Sequence, residues 1–279
     1  MRNMPRLKGR CPWPIGLSAL LFPAIAFAQL PVWEAGLGAG SLSIPSYRGS
    51  DERSTYLLPL PYLVYRGDRL RIDRDGMRGD LFRSERLRLD LSVGAGPPSK
   101  NDDPARVGMS DIDPTIEAGP ALEIKLGSTD TRKGWSVVLP LRAVIATDFR
   151  HTQSLGWVFA PYLRYDAPGL PAGWLFDMSL GPMYAGERYH EYYYEVAPAF
   201  ATPARPAYDA RGGYSGSRIT LALSKRFKDF WVGAFARYDN LSGAAMDDSP
   251  LVQTEHSFMI GAGIIWILAR SAQTAAGSD

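Results

Sequence analysis

Residues 86–93 read Arg-Leu-Arg-Leu-Asp-Leu-Ser-Val, and residues 115–126 read Thr-Ile-Glu-Ala-Gly-Pro-Ala-Leu-Glu-Ile-Lys-Leu. In the first run Leu87, Leu89, Leu91 and Val93 share one parity, and Arg86, Arg88, Asp90 and Ser92 share the other. In the second, Ile116, Ala118, Pro120, Leu122, Ile124 and Leu126 alternate with positions that carry Glu117, Glu123 and Lys125. A period of two is the period of a β-strand. Each run has about the length of a strand that crosses a bilayer. The polar parity bears full charges, too many for the core of a soluble sandwich. An antiparallel transmembrane β-barrel of the outer-membrane type, apolar toward lipid and charged toward its lumen, satisfies both parities.

The same pattern recurs along the chain. Strands are expected at 32–44, 56–66, 69–75, 77–82, 86–95, 113–126, 134–147, 155–166, 173–184, 217–227, 230–239 and 255–268, twelve in all. Short connections at 67–68, 127–133, 167–172 and 228–229 alternate with long ones at 45–54, 96–112, 148–154, 185–214 and 240–254, as periplasmic turns alternate with outer loops. Pro59 and Pro61 are awkward for a strand flanked on both sides. Trp135, Trp174 and Trp266 fall at the periplasmic ends of strands, and Trp157 and Tyr184 at the outer ends, where two aromatic girdles belong. The apolar parities of six strands carry no Lys, Arg, Asp or Glu, residues that cost roughly 2–4 kcal/mol at the bilayer midplane.

Residues 1–28 read as a secretory signal. Arg2, Arg6, Lys8 and Arg10 precede an apolar run, and Ala26-Phe27-Ala28 is a small-x-small cleavage site, so the mature chain is expected to begin at Gln29, with the barrel over 29–268 and a tail over 269–279. Cys11 is the one cysteine and leaves with the signal, which removes disulfide and thiol chemistry. Without the four leader cations, 27 of the 31 basic residues face 29 acidic ones, a balance that points away from nucleic acid. Export into the Gram-negative outer membrane makes lipid the expected surroundings.

Four passages resemble the MipA/OmpV family of outer-membrane proteins. They are Gly-Ala-Gly…Pro-Ser-Tyr-Arg-Gly-Ser at 38–50 with Pro59 to Tyr62; Asp90 to Pro98 with Asn101 and Asp102; Arg106 to Pro120; and Arg188-Tyr189…Tyr193-Tyr194-Glu195-Val196 with Pro206 to Tyr208 and Gly212-Gly213. The resemblance implies a non-enzymatic scaffold that joins a murein-degrading lytic transglycosylase to a bifunctional penicillin-binding protein, without a cofactor. A passive porin-like channel or a surface adhesin is the alternative. The family's barrels usually end in an aromatic residue, whereas here Ala269 to Asp279 follow the last strand.

Candidate site residues divide into two groups. Arg86, Arg88, Asp90, Glu117, Glu123, Lys125, Arg142, Arg164 and Asp177, with Asp166, Arg218, Arg237 and Asp239, are expected on the lumen face. They form either a selectivity lining or a self-neutralising salt-bridge network, and their mixed signs favour the network. Tyr189, Tyr192, Tyr193, Tyr194 and Tyr208 crowd an outer segment, as a contact surface or as an extended hairpin that packs upon itself. His151 with Ser154 lacks a nucleophile elbow. The acidic group Asn101, Asp102, Asp103, Asp111 and Asp113 matches no Ca²⁺-loop spacing and reads as solvated loop. No metal, cofactor or catalytic set is expected.

Overall fold

The structure is a computed structural model that describes residues 31–66, 70–73, 76–99, 103–127, 134–148 and 150–273. The signal segment with Ala28 and Gln29, residues 128–133, Asn101 and Asp102, and the end of the tail lie outside the described residues.

Among the described residues, thirteen strand segments form one antiparallel sheet: β1 (Trp33–Pro45), β2 (Arg53–Arg66), β3 (Leu70–Asp73), β4 (Gly76–Arg83), β5 (Leu87–Gly96), β6 (Thr115–Leu126), β7 (Gly134–Thr147), β8 (Thr152–Phe159), β9 (Tyr162–Leu170), β10 (Trp174–Ala185), β11 (Gly213–Arg226), β12 (Phe230–Asn240) and β13 (His256–Arg270). The pairing of β1 with β13 closes the sheet into a barrel. β8 and β9 occupy one position. β8 pairs with the outer half of β7, and β9 with its periplasmic half. Between them stand Ala160 and Pro161, where proline withholds a ladder N–H. Counted by position the barrel has twelve strands, the number the loop alternation predicts.

The alternation reads as expected around the wall. Leu87, Leu91 and Val93 of β5, Ile116 and Leu126 of β6, and Leu221 and Leu223 of β11 are exposed on the outside. Trp135 and Trp266 ring the periplasmic end and Trp157 and Tyr184 the outer end, all exposed toward lipid. Trp135 also meets Tyr165 of β9 at 4.8 Å between centroids. Among the described residues no helix is long and apolar enough to cross a membrane.

The pieces at 69–75 and 77–82 are two separate strands, but β3 has four residues and rises only about 13 Å. β3 pairs with β2 at Tyr65 and Arg66, and β4 pairs with β5 from Arg88 to Leu91. Above this short hairpin, β2 from Arg53 to Pro61 has no strand on its second edge among the described residues. Pro59 and Pro61 therefore sit on an edge, where a missing N–H is tolerated.

Two ends of the barrel differ in packing. At the periplasmic end Ser271 donates its N–H to the Trp33 carbonyl at 2.9 Å, and Arg270 pairs with Asp229 at 2.7 Å. The first residues after Leu268 thus extend β13. The largest buried apolar cluster lies at the outer end. Tyr47, Met109, Ile112, Tyr194, Leu241, Met246 and Leu251 come from four outer segments and share one core.

Candidate functional site

The outer loops build a cap over the lumen. Its centre is α1 (Glu187–Tyr194), a helix within the 185–214 connection. The extended hairpin considered for this segment is not what forms. Tyr189 and Tyr193, four residues apart, pack with their rings tilted on one helix face at 4.9 Å between centroids, and Tyr194 is 1% exposed. Spacing by four is the helical neighbour distance, and it was visible in the sequence beside the denser tyrosine run. The helix turns these rings into the barrel mouth rather than toward solvent. The Tyr194 hydroxyl donates to the Arg48 carbonyl at 2.9 Å, the Tyr47 hydroxyl to the Leu251 carbonyl at 2.7 Å, and the Tyr192 hydroxyl accepts from the Asp113 N–H at 2.8 Å. Burial raises the phenol pKa of all of these tyrosines, which keeps them neutral. Tyr208 lies in the same cap, its hydroxyl donating to the Ala245 carbonyl at 3.2 Å.

His190 is fully buried in the cap. Its Nδ1 donates to the Arg211 carbonyl at 2.6 Å, so its Nε2 accepts from the Ser215 hydroxyl at 3.0 Å. Burial lowers its pKa, with a smaller push from Arg48, against the Arg211 carbonyl. Ser215 is buried as well, so the pair braces α1 against β11 with no path for a substrate. His151 is exposed beside Asp148 at 3.4 Å, whereas the Ser154 hydroxyl accepts from the Gly156 N–H. Backbone N–H groups of His151 and Arg150 lower the Asp148 pKa.

Below the cap the charged lumen face pairs with itself across neighbouring strands. Arg88 meets Glu123 at 3.3 Å, Arg142 meets Glu117 at 3.2 Å and Ser92 at 3.0 Å, and Arg164 meets Asp177 at 2.7 Å and Asp166 at 3.2 Å. Asp90 is buried on the same face. Arg86 stands apart: it is exposed at the periplasmic rim, where its carbonyl accepts from the Lys125 N–H, and neither side chain joins an ion pair among the described residues.

Glu34, Arg226 and Arg48 were not singled out from the sequence, whereas Arg218, Arg237 and Asp239 were expected on the lumen face. At the periplasmic end the buried Glu34 of β1 accepts both guanidinium arms of Arg226, one at 2.7 Å, with the Tyr62 hydroxyl at 3.4 Å. At the outer end Asp239 holds Arg237 at 2.7 Å, Arg218 at 2.8 Å and Arg48 at 3.3 Å. Burial is the largest influence and lowers the Arg48 guanidinium, but the Asp239 carboxylate together with the Tyr194, Tyr189 and Tyr193 phenols outweighs it and keeps the group above its ordinary pKa. Three cations around one carboxylate leave an excess of positive charge at the top of the lumen. Arg48 lies in a loop, outside any strand periodicity, which is why alternation could not find it; its only signal was its place in the first family passage.

Between the cap and the lower ion pairs lies a cavity of about 790 Å³. One wall, on β5, β6, β7 and β10, presents Arg142, Glu117 and Asp177. The other, on β12, β13, β1 and β2, presents Trp231, Phe235, Met259, Leu42, Leu58 and Leu60 among glycines.

The sequence model of the family described as "MltA-interacting protein MipA" matches residues 37–268. The chain belongs to this family. All four passages of the resemblance lie inside that span, and three of them supply the cap: Tyr47 and Arg48, Arg106 to Asp113, and Tyr189 to Val196. No curated protein matches the chain. Among solved structures, an outer membrane channel from Pseudomonas putida F1 aligns at 14% identity and TM-score 0.41, over 87% of this chain and 98% of that one. The toluene transporter TbuX of Ralstonia pickettii aligns at 10% identity and TM-score 0.22, over 87% and 71%.

Proposed function

We propose that this MipA-family barrel is a non-enzymatic scaffold of the outer membrane, where it docks a lytic transglycosylase and a bifunctional penicillin-binding protein on its periplasmic side. Export follows Sec-type cleavage between Ala28 and Gln29, and residues 29–268 form the mature barrel ahead of a short tail. The observation that carries the reading is the family match over 37–268, whose description is an interaction with MltA. The geometry supports it indirectly. A barrel whose outer loops pack around α1 and whose lumen charges pair between adjacent strands is poorly suited to bulk solute flow, so the membrane-embedded wall serves better as a platform. Candidate contacts are the periplasmic turns at 127–133 and the residues after 268. The lumen charges Arg88, Glu117, Glu123, Arg142, Arg164 and Asp177 belong in this reading to the internal network that stiffens the platform.

Affinity purification of the full mature chain from solubilised envelopes tests this. Retention of a lytic transglycosylase, lost on deleting the residues after 273, is the expected result. Failure to retain either murein enzyme, together with steady conductance, would favour the second reading, a passive channel, which the 790 Å³ cavity motivates.

A further inference from the structure

Asp239 gathers more positive charge than it can balance. Arg48, from the loop after β1, Arg218 of β11 and Arg237 of β12 reach it at 3.3, 2.8 and 2.7 Å. Three guanidinium charges against one carboxylate leave a local excess of two. The side chains are 10%, 30% and 23% exposed and the carboxylate 3%, so little water screens that excess. Cations taken this far out of water need a counter-charge. The other carboxylates on the cavity lining do not supply it: Glu117 holds Arg142 at 3.2 Å, and Asp177 holds Arg164 at 2.7 Å.

The cluster also has donors left over. Arg48 is occupied, with Asp239, the Ser215 hydroxyl and carbonyl, and the Met183 sulfur around its guanidinium. Arg218 commits Nε to Asp239 and Nη2 to the Met183 sulfur at 4.0 Å, and Arg237 commits only its Nε to Asp239. Among the described residues, Nη1 of Arg218 and both Nη nitrogens of Arg237 donate no hydrogen bond. The same holds for the hydroxyl of Tyr189, which α1 buries against the cavity. Burial, then the Glu117 carboxylate, raises the Tyr189 pKa against the pull of Arg48, Arg218 and Arg237, so this hydroxyl keeps its proton. Arg218, Arg237 and Tyr189 all line the cavity of about 790 Å³. Beside and below them the lining turns apolar. Met259 stands across from Arg237 in the register, Phe235 is the next inward residue of β12 and lies over Gly261, and Trp231 lies over Gly233. The volume is within the roughly 300–1,000 Å³ of sites that enclose a small molecule.

We infer that this cavity binds a phosphate monoester with an apolar body. A phosphoryl head carries about −1.5 to −2 charge near neutral pH and offers three strong acceptor oxygens. That matches both the excess charge around Asp239 and the number of elements with donors to spare. The head accepts a bidentate pair from the Nη nitrogens of Arg237, with Nη1 of Arg218 and the Tyr189 hydroxyl completing the set. The body rests on Phe235, Met259 and Trp231. A head with a single charge would leave one guanidinium uncompensated. The inference is independent of the murein partners, since it concerns the lumen beneath the cap rather than the periplasmic side.

The test uses the full mature barrel in lipid nanodiscs and overnight equilibrium dialysis at about pH 8, where the phosphoryl head is a dianion. The probe is radiolabelled hexyl phosphate, with binding to empty nanodiscs subtracted. Saturable binding is expected, at least 10-fold tighter than that of hexyl sulfate, which keeps the chain and the tetrahedral head but carries one charge. Equal affinity for the two, or no saturable binding, would overturn the assignment, and that comparison needs only the wild-type chain. Inorganic phosphate is expected to bind at least 10-fold more weakly than hexyl phosphate; equal binding would overturn the apolar body and leave free phosphate as the ligand. Arg237→Gln leaves Asp239 held by Arg48 and Arg218 and is expected to weaken hexyl phosphate at least 10-fold, with heat-modifiable gel mobility confirming a folded barrel. Arg88→Gln, which removes a lumen guanidinium that does not line the cavity, is expected to leave binding unchanged. An equal loss in both variants would mean that lumen charge at large holds the anion, and would overturn the site.

Discussion

The two walls of the lumen fill the same narrow barrel by opposite means. On β5 to β10, arginines and carboxylates from adjacent strands meet at 2.7–3.3 Å, as in Arg88–Glu123, Arg142–Glu117 and Arg164–Asp177. On β12, β13, β1 and β2, glycines leave room, and large apolar side chains lie flat in it. The first wall neutralises itself and has little left to offer a ligand. The second keeps a cavity because several of its positions carry no side chain. The cap above both is the part with an ordinary protein core, and it determines whether the space below connects to the outside.

The contrast can be broken from the cap downward. Tyr194→Ala removes a ring at the centre of the outer core and its hydroxyl bond to the Arg48 carbonyl. Truncating a large buried aromatic costs about 3–5 kcal/mol, enough to open a local unit. Protease cleavage within 195–212 and new ion conductance across a planar bilayer are the expected outcomes; an uncut, silent variant would mean that α1 is not what closes the mouth.

Alanine at one glycine on each wall separates the two next. At Gly119 a Cβ would lie 2.0 Å from the Leu141 carbonyl oxygen, a backbone atom that cannot move without disturbing the β6–β7 ladder. At Gly263 it would meet the Leu60 Cδ1 at 2.7 Å, and that side chain is free to swing into the cavity. Overpacking costs typically about 1–3 kcal/mol, so Gly119→Ala is expected at or above that range and Gly263→Ala at its lower end. Heat-modifiable gel mobility gives both midpoints, and equal shifts would erase the proposed difference in compliance.

Glu117→Gln probes the charged wall alone. It leaves Arg142 with Ser92 and a neutral amide in a mostly buried place. A loss of about 1–3 kcal/mol is expected from the uncompensated cation. A neutral or stabilised variant would show that this pair is dispensable packing.

The smallest effect is pH-dependent. Burial lowers the His190 pKa below the roughly 6.5 of an unfolded histidine, so the unfolded chain takes up the proton more readily. The cap's stability from this group is full above about pH 6.5 and declines as the pH falls below it. Melting temperatures at pH 7.5 and 5.5 should differ less for His190→Asn than for the wild type. Identical pH dependence in the two would remove His190 from the cap's energetics.

How much of this was legible in the sequence follows from periodicity. Arg88, Glu117, Glu123, Arg142, Arg164 and Asp177 were readable because a strand assigns each residue a side by parity, and the register then places partners on adjacent strands. The break at Pro161 was not read, and 155–166 appears as one strand in the alternation because β8 and β9 fill one position. The cap was largely illegible. Tyr47, Arg48, Arg106 and Met246 come from separate loops, and no local pattern links residues that meet only when the barrel brings its outer ends together. The α1 helix is eight residues long, and its tyrosines are of a type enriched in strands. The second edge of β2 left one trace, the prolines Pro59 and Pro61, which mark an edge once the shortness of β3 is known.

Single-channel recording of the purified mature barrel in a planar bilayer, beside Tyr194→Ala, addresses the closed lumen most directly. A lumen sealed by α1 and its neighbours predicts no steady conductance for the wild type and frequent openings for the variant. Steady, large channels in the wild type would contradict it.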